Sequence, residues 1–323
     1  MTVRATPPVT WIASAAALAV LAGLPFLLSN WMVFLIALAL AKGAVVLGVV
    51  LLLRAGLISF GHALYFAIGA YTVGFLANKF NIGEALVALP LAAVISGLVA
   101  AVLGLLLARF RGIYFAMLSL ALSMILYTAL AKFYDFSGGT DGLSIRGFTL
   151  AGVAPVNPGL VQYYLVLALT AVIAFVCARF VASPIGYLTQ AVRYNEIRIE
   201  YLGASASHAI LSSYVLSGAI SGLGGALVAY LVGHVSPDFA YWVYSGDFVF
   251  VAVLGGTGSV LAPFIGSIAF EFVKNYAVKF SPHTWQLTLG VFLLLVIYFQ
   301  PQGLWHLIAR FRKRPRAQPR AQP

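Results

Sequence analysis

Charge is scarce in this sequence. Only 8% of its 323 residues are Asp, Glu, Lys or Arg, 62% are hydrophobic, and the mean hydropathy is +1.01. A soluble domain of this size does not have so few polar residues to cover itself. Cysteine is nearly absent. Cys177 stands alone, which excludes an intrachain disulfide and leaves nothing that points to a metal site. The eight acidic residues are scattered, and only Glu196 and Glu200 share a helix face. No general acid–base constellation stands out. The phosphate-binding G-x-x-x-x-G-K-[ST], the zinc-binding H-E-x-x-H and the nucleophile elbow G-x-S-x-G are all missing. The chain therefore reads as no enzyme, with no cofactor of its own.

Positive charge is the exception, with a formal net charge of +11. Nucleic acid is not the expected partner, because the charge is concentrated where a membrane protein needs it. Arg310, Arg312, Lys313, Arg314, Arg316 and Arg320 follow directly on an apolar run. A basic tail 310–323 in that place reads as a cytoplasmic C-terminus held against anionic lipid.

What the sequence has is long apolar runs separated by short polar hinges. They predict an all-α polytopic membrane protein with about 8–10 transmembrane helices in a single domain, 1–309. The runs are continuous rather than alternating, which argues against a β-barrel. Residues 11–28 read as a first span rather than a signal peptide, since more spans follow at once. Further spans are expected at 31–53, 85–108, 112–133, 160–182, 210–233 and 285–299. Lys42, inside the second, is either a buried charge on a path or a lysine that snorkels or faces a neighbouring subunit. Arg109 and Arg111 place the end of 85–108 in the cytoplasm. Residues 134–159, with many turn residues and few positive charges, read as a folded external loop. Gly218, Gly222 and Ala226, at intervals of four, suit close helix packing.

Three stretches depart from this plan. In 54–71 the apolar run carries Ser59, Gly61, His62 and Gly69; read helically, Ser59, His62, Phe66 and Gly69 share one face. Such residues inside a membrane face protein, water or a solute. In 249–267 the run is interrupted by Gly255, Gly256, Ser259 and Pro263, which predicts a broken or re-entrant helix. A charge count agrees. If 249–270 made one full crossing the basic tail would emerge outside; a half-span followed by a crossing at 261–279 returns it to the cytoplasm. Glu271 and Lys274 are then expected as an exposed ion pair near the outer end of that crossing. The two broken stretches stand in comparable places in the two halves, the pattern of an inverted repeat around a midplane site. The third stretch, 183–207, is dense in charge. Arg193, Asn195, Glu196, Arg198 and Glu200 fall on a short amphipathic helix that Pro184 can start and Gly203 can stop.

Four pieces together resemble one family: AGLISFGHALYFAIGAY (55–71), GGTDGL (138–143), 191–227, and LGGTGSVLAP with QPQGL (254–263, 300–304). They resemble the LivM-like permease subunits of bacterial ABC importers for branched-chain amino acids. The resemblance implies a translocation subunit in the bacterial inner membrane. It implies a second related permease subunit, two ATP-binding subunits that hold ATP and Mg, and a periplasmic solute-binding protein. It makes 183–207 the coupling segment, with Glu200 and Gly203 matching the family's Glu-x-x-Gly. Val49 and Leu57 are apolar where members usually carry Asn and Gln, and Arg54 replaces an uncharged residue. Urea or short amides therefore stay open as substrates beside branched-chain amino acids. A proton-linked secondary transporter using Lys42 and His62 is the remaining alternative.

Overall fold

The computed structural model describes residues 17–300 and 303–306, apart from 146 and 154. The basic tail 310–323 and the start of the first expected span lie outside the described residues. Among the described residues the main helices are, in order, α1 Ala17–Phe26, α2 Asn30–Arg54, α3 His62–Lys79, α4 Ala85–Leu107, α5 Gly112–Lys132, α6 Tyr134–Ser137, α7 Pro158–Val181, α8 Pro184–Val192, α9 Glu196–Tyr201, α10 Ala206–Val232, α11 Trp242–Gly255, α12 Ala262–Phe280 and α13 Trp285–Phe299. The protein is an all-α polytopic membrane protein. Five helices, α2, α4, α5, α7 and α10, are long and apolar enough to cross a bilayer, and α1, α11 and α13 are shorter apolar helices.

The helices differ in what surrounds them. The most apolar window of α2 is 89% buried within this chain, against 22% in α5 and 28% in α7. A helix apolar all round is an interior helix, and α2 is one. The peripheral helices α5 and α7 leave most of their surface uncovered by the described residues. Helix α10 is the centre of the packing and touches α2, α3 and α4. Its small residues make this possible. A Cβ on Gly69 of α3 would run into the Gly222 carbonyl, and one on Gly225 into the Phe66 carbonyl. Backbone against backbone at this crossing is the use of glycine in membrane helices, and the stripe at 218, 222 and 226 is such an interface.

Both broken stretches are interrupted as the sequence suggested, but the first breaks differently in detail. Helix α2 ends at Arg54 and α3 begins only at His62. Ser59 and Gly61 therefore lie in the connector, and the single helical face through Ser59, His62, Phe66 and Gly69 is corrected to His62, Phe66 and Gly69. In the second, α11 stops at Gly255, Gly256 takes φ +86°, and α12 restarts at Ala262 with Pro263 in its first turn. The expected single helix in 183–207 is two. Ser183 caps α8 ahead of Pro184, and Asn195 opens α9 by accepting the Arg198 N–H at 2.9 Å.

Residues 134–153 form a folded unit at the far end of α10 from α8 and α9. A short strand β1, Leu143–Ser144, pairs antiparallel with β2, His234–Val235. Asn78 at the end of α3 donates its Nδ2–H to the Ser144 carbonyl at 2.8 Å. Glu84, before α4, accepts the Ala151 and Gly152 N–H groups at 2.7 and 2.8 Å.

Candidate translocation path and coupling surface

The start of α3 is surrounded by protein. Ser59, His62 and Phe66 are buried. Ser217 Oγ donates to the Gly48 carbonyl at 2.7 Å. It therefore has no proton left for the imidazole, and His62 Nε2–H donates to Ser217 Oγ at 2.6 Å. One side chain of α10 thus joins α3 to α2. His62 Nδ1 has no hydrogen-bond partner among the described residues, with the Ser59 backbone beside the ring.

The first turn of a helix leaves backbone N–H groups without intrahelical partners, and here serines from other elements accept one of them and one from the connector just before. Ser245 Oγ of α11 accepts the Ala63 N–H at 2.9 Å, and Ser119 Oγ of α5 accepts the Phe60 N–H at 3.1 Å. Ser59 Oγ itself accepts the Gly61 N–H at 3.3 Å. Phe66 then packs against Phe239, Tyr244 and Phe248, with ring centroids 5.2, 6.0 and 5.4 Å away. The start of α3 thus meets the start of α11, ahead of the second broken stretch. Gly255 and Gly256 lie at the other end of α11. Gly255 packs on Ala262 and Pro263, Gly256 is covered by Gly303, and Ser259 Oγ accepts the Leu261 N–H at 3.3 Å. They do not touch His62 or Phe66.

Ser217 and Ser245 are absent from the residues that the sequence singled out. Ser217 had a signal: Ser213, Ser217 and Ser221 recur every fourth residue along α10. Ser245 had none. Lys42, its side chain 14% exposed, binds Glu271 Oε1 at 2.7 Å. Lys274 binds Asp247 Oδ2 at 2.6 Å. Glu271 and Lys274 are thus not partners of each other, and Glu271 is 5% exposed. The expected exposed pair is replaced by one largely buried and one half-buried pair, because α12 turns these charges towards α2 and α11.

At the α8–α9 end the chain shows a different surface. Tyr194 is 81% and Tyr201 88% exposed, and Ile197 and Leu202 lie open beside them. Arg193, Arg198, Glu200 and Gly203 share this exposed segment. Glu196 instead faces the protein and takes two hydrogen bonds from Arg111. Ile199 is the buried residue of α9 and packs with Leu52, Leu107 and Ile210, at the ends of three long helices.

The family described as "Branched-chain amino acid transport system / permease component" matches residues 27–298. The high-affinity branched-chain amino acid transport system permease protein LivM of Salmonella typhimurium is 29% identical over 272 residues, covering 77% of this chain and 64% of that protein. Its namesake in Escherichia coli gives the same figures. A probable branched-chain amino acid transport permease protein LivM of Methanocaldococcus jannaschii is 25% identical over 241 residues, covering 69% of each chain. The chain thus spans about 64% of the length of the two bacterial relatives. No solved structure matches. With the family match running from the start of α2 almost to the end of α13, the chain belongs to the branched-chain amino acid transport permease family.

Proposed function

We propose that this chain is a permease subunit of an ABC-type importer, one wall of a translocation path for branched-chain or similar amino acids. The observation that carries the reading is the family match over 27–298, which takes in the five long apolar helices α2, α4, α5, α7 and α10. The membrane is the bacterial inner membrane, with the C-terminus and 183–207 cytoplasmic and 134–159 external. A second related permease subunit covers the exposed apolar faces. Two ATP-binding subunits hold ATP and Mg, and a periplasmic solute-binding protein delivers the solute.

The coupling surface is α8–α9. Its exposed aromatic and aliphatic side chains, ringed by Arg193, Asn195, Arg198 and Glu200, have the composition of a docking patch. Its inner side is tied to the membrane helices by Ile199 and by the Arg111–Glu196 contact. Displacement of α9 by a partner is thereby handed to α4, α5 and α10. The path is bordered by the two broken stretches, with Ser59, Gly61, His62, Phe66 and Gly69 on one and Gly255, Gly256 and Ser259 on the other. Access alternates as the partners bind and hydrolyse ATP.

The experiment is reconstitution of the chain with its sister permease, ATP-binding subunits and binding protein in vesicles. ATP-dependent uptake of labelled leucine, isoleucine or valine is expected. Uptake of none of these, nor of urea or short amides, sinks the reading.

A further inference from the structure

Charged residues from three helices converge inside the helix bundle. Lys42 of α2, Asp247 of α11 and Glu271 of α12 line one cavity of about 10 Å³, room for about one water. The two ion pairs there are not equivalent. Lys274 binds Asp247 and also lies over the rings of Phe270 and Trp285, 5.7 and 5.2 Å from their centroids. It is held from three sides. Lys42 and Glu271, among the described residues, have each other as their hydrogen-bond partner. A buried pair adds little net stability, because loss of hydration offsets the attraction, and apolar replacements are often as stable. Within a bilayer such charges are expensive and mark function. Packing gives no reason for Lys42 and Glu271 to be there.

We propose that Lys42–Glu271 is an exchangeable pair that receives the head group of an aliphatic α-amino acid on its way through the protein. The carboxylate takes Lys42 Nζ and the ammonium takes the Glu271 carboxylate. Each charge gives up one partner and gains another of the same sign. The site is neutral when empty and neutral when filled, so neither state buries an unpaired charge. Val46, Phe248, Val251 and Phe270 form apolar walls around it, which suit a branched aliphatic side chain. Urea and neutral amides bring no charge to exchange, so they leave the pair closed. The described conformation is the closed one, and the α11–α12 hairpin has to move away from α2 to admit an amino acid. This inference rests on the permease reading and names the class of solute that the path accepts.

The test uses the assembled importer in nanodiscs of phosphatidylglycerol alone, so that no zwitterionic lipid head group competes. Tritiated leucine binding is measured without the binding protein. Wild type is expected to bind leucine, with displacement by isoleucine and valine but not by urea or 4-methylpentanamide. In the Lys42→Met/Glu271→Gln variant, which removes both charges and leaves none unpaired, binding falls by about tenfold or more. The charge-swapped Lys42→Glu/Glu271→Lys variant keeps an ion pair but reverses the head group against the apolar walls, and it also loses leucine. The proposal is overturned by absent leucine binding in wild type, by unchanged binding in either variant, or by displacement with the amide as good as with valine. ATP-driven uptake by wild-type vesicles is read separately. Intact uptake with unchanged leucine binding in the variants removes only the exchange site, whereas no uptake of any solute removes the permease reading.

Discussion

Arg111 grips Glu196 with two parallel hydrogen bonds, Nε to Oε2 at 2.9 Å and Nη2 to Oε1 at 2.6 Å. The contact joins the residue that opens α5 to the first residue of α9, and so links a membrane helix to the exposed segment. Both side chains are about a third exposed, 31% and 32%. Solvent screening leaves such a pair worth about 0–1 kcal/mol. Arg111→Ala is therefore expected to insert and to melt close to wild type. If the pair carries motion from the ATP-binding partners, uptake by the reconstituted importer falls several-fold while ATP hydrolysis continues. Unchanged uptake would show that the pair has no part in coupling.

Gly203 closes α9 with φ +81°, and a Cβ added there meets nothing within 4 Å. Any other residue costs about 1–2 kcal/mol for the left-handed backbone, while its Cβ meets none of the described residues. Gly203→Ala and Gly203→Trp bear the same backbone cost and differ in bulk. Both are expected to reach the membrane in similar amounts, with transport abolished by Trp and largely kept by Ala. Equal transport in the two variants would remove Gly203 from the docking surface. Glu200→Arg, on the same exposed segment, is likewise expected to abolish transport without preventing insertion.

The parts of this architecture that were legible in the sequence are those set by local chemistry. The break near 255 shows in consecutive glycines followed by Pro263, and the α10 interface in small residues every fourth position. The start of α3 was harder to see. Ser59 continues the helical spacing of His62 and Phe66 and masks the local stop at Gly56, which closes α2 with φ +78°. The split between α8 and α9 had a signal in Asn195, a strong N-cap residue three positions before Arg198. The Lys42–Glu271 pair had none, because its members are 229 residues apart. Only the packing of α12 on α2 brings them together.

Glu84 predicts how the folded unit at 134–153 responds to acid. The Gly152 N–H above all, then the Ala151 N–H and the Thr149 hydroxyl, hold its carboxylate below its ordinary value, outweighing the opposing effect of desolvation. A lowered folded pKa means that the contact stabilises the unit fully above the unfolded value. The stabilisation is then lost as pH falls through the folded one. Hydrogen exchange at Ala151 and Gly152 is expected to stay slow, after correction for intrinsic rate, down to about pH 4.5 and to quicken below it. Glu84→Gln should exchange faster at neutral pH and show no such acid step. A step that survives in Glu84→Gln would assign it to another group.

The Ser217 hydroxyl has one proton and two neighbours, and the Gly48 carbonyl takes that proton. Removing the hydroxyl in Ser217→Ala leaves the His62 Nε2–H buried without an acceptor. An unsatisfied buried donor costs about 1–3 kcal/mol, so the detergent-solubilised protein is expected to melt several degrees lower. Removing the donor as well changes the balance. In Ser217→Ala/His62→Phe the aromatic ring still packs edge-on near Tyr65, where the imidazole lies with centroids 6.5 Å apart, and no polar group is stranded. The double variant should regain much of the loss, with a coupling energy of about 0.5 kcal/mol or more. Strictly additive effects would mean that His62 and Ser217 act independently. Uptake by the same variants then separates packing from transport. If the double variant is stable but inactive, the imidazole does something on the path that a phenyl ring cannot, and if it transports normally, His62 serves to join α3, α10 and α2.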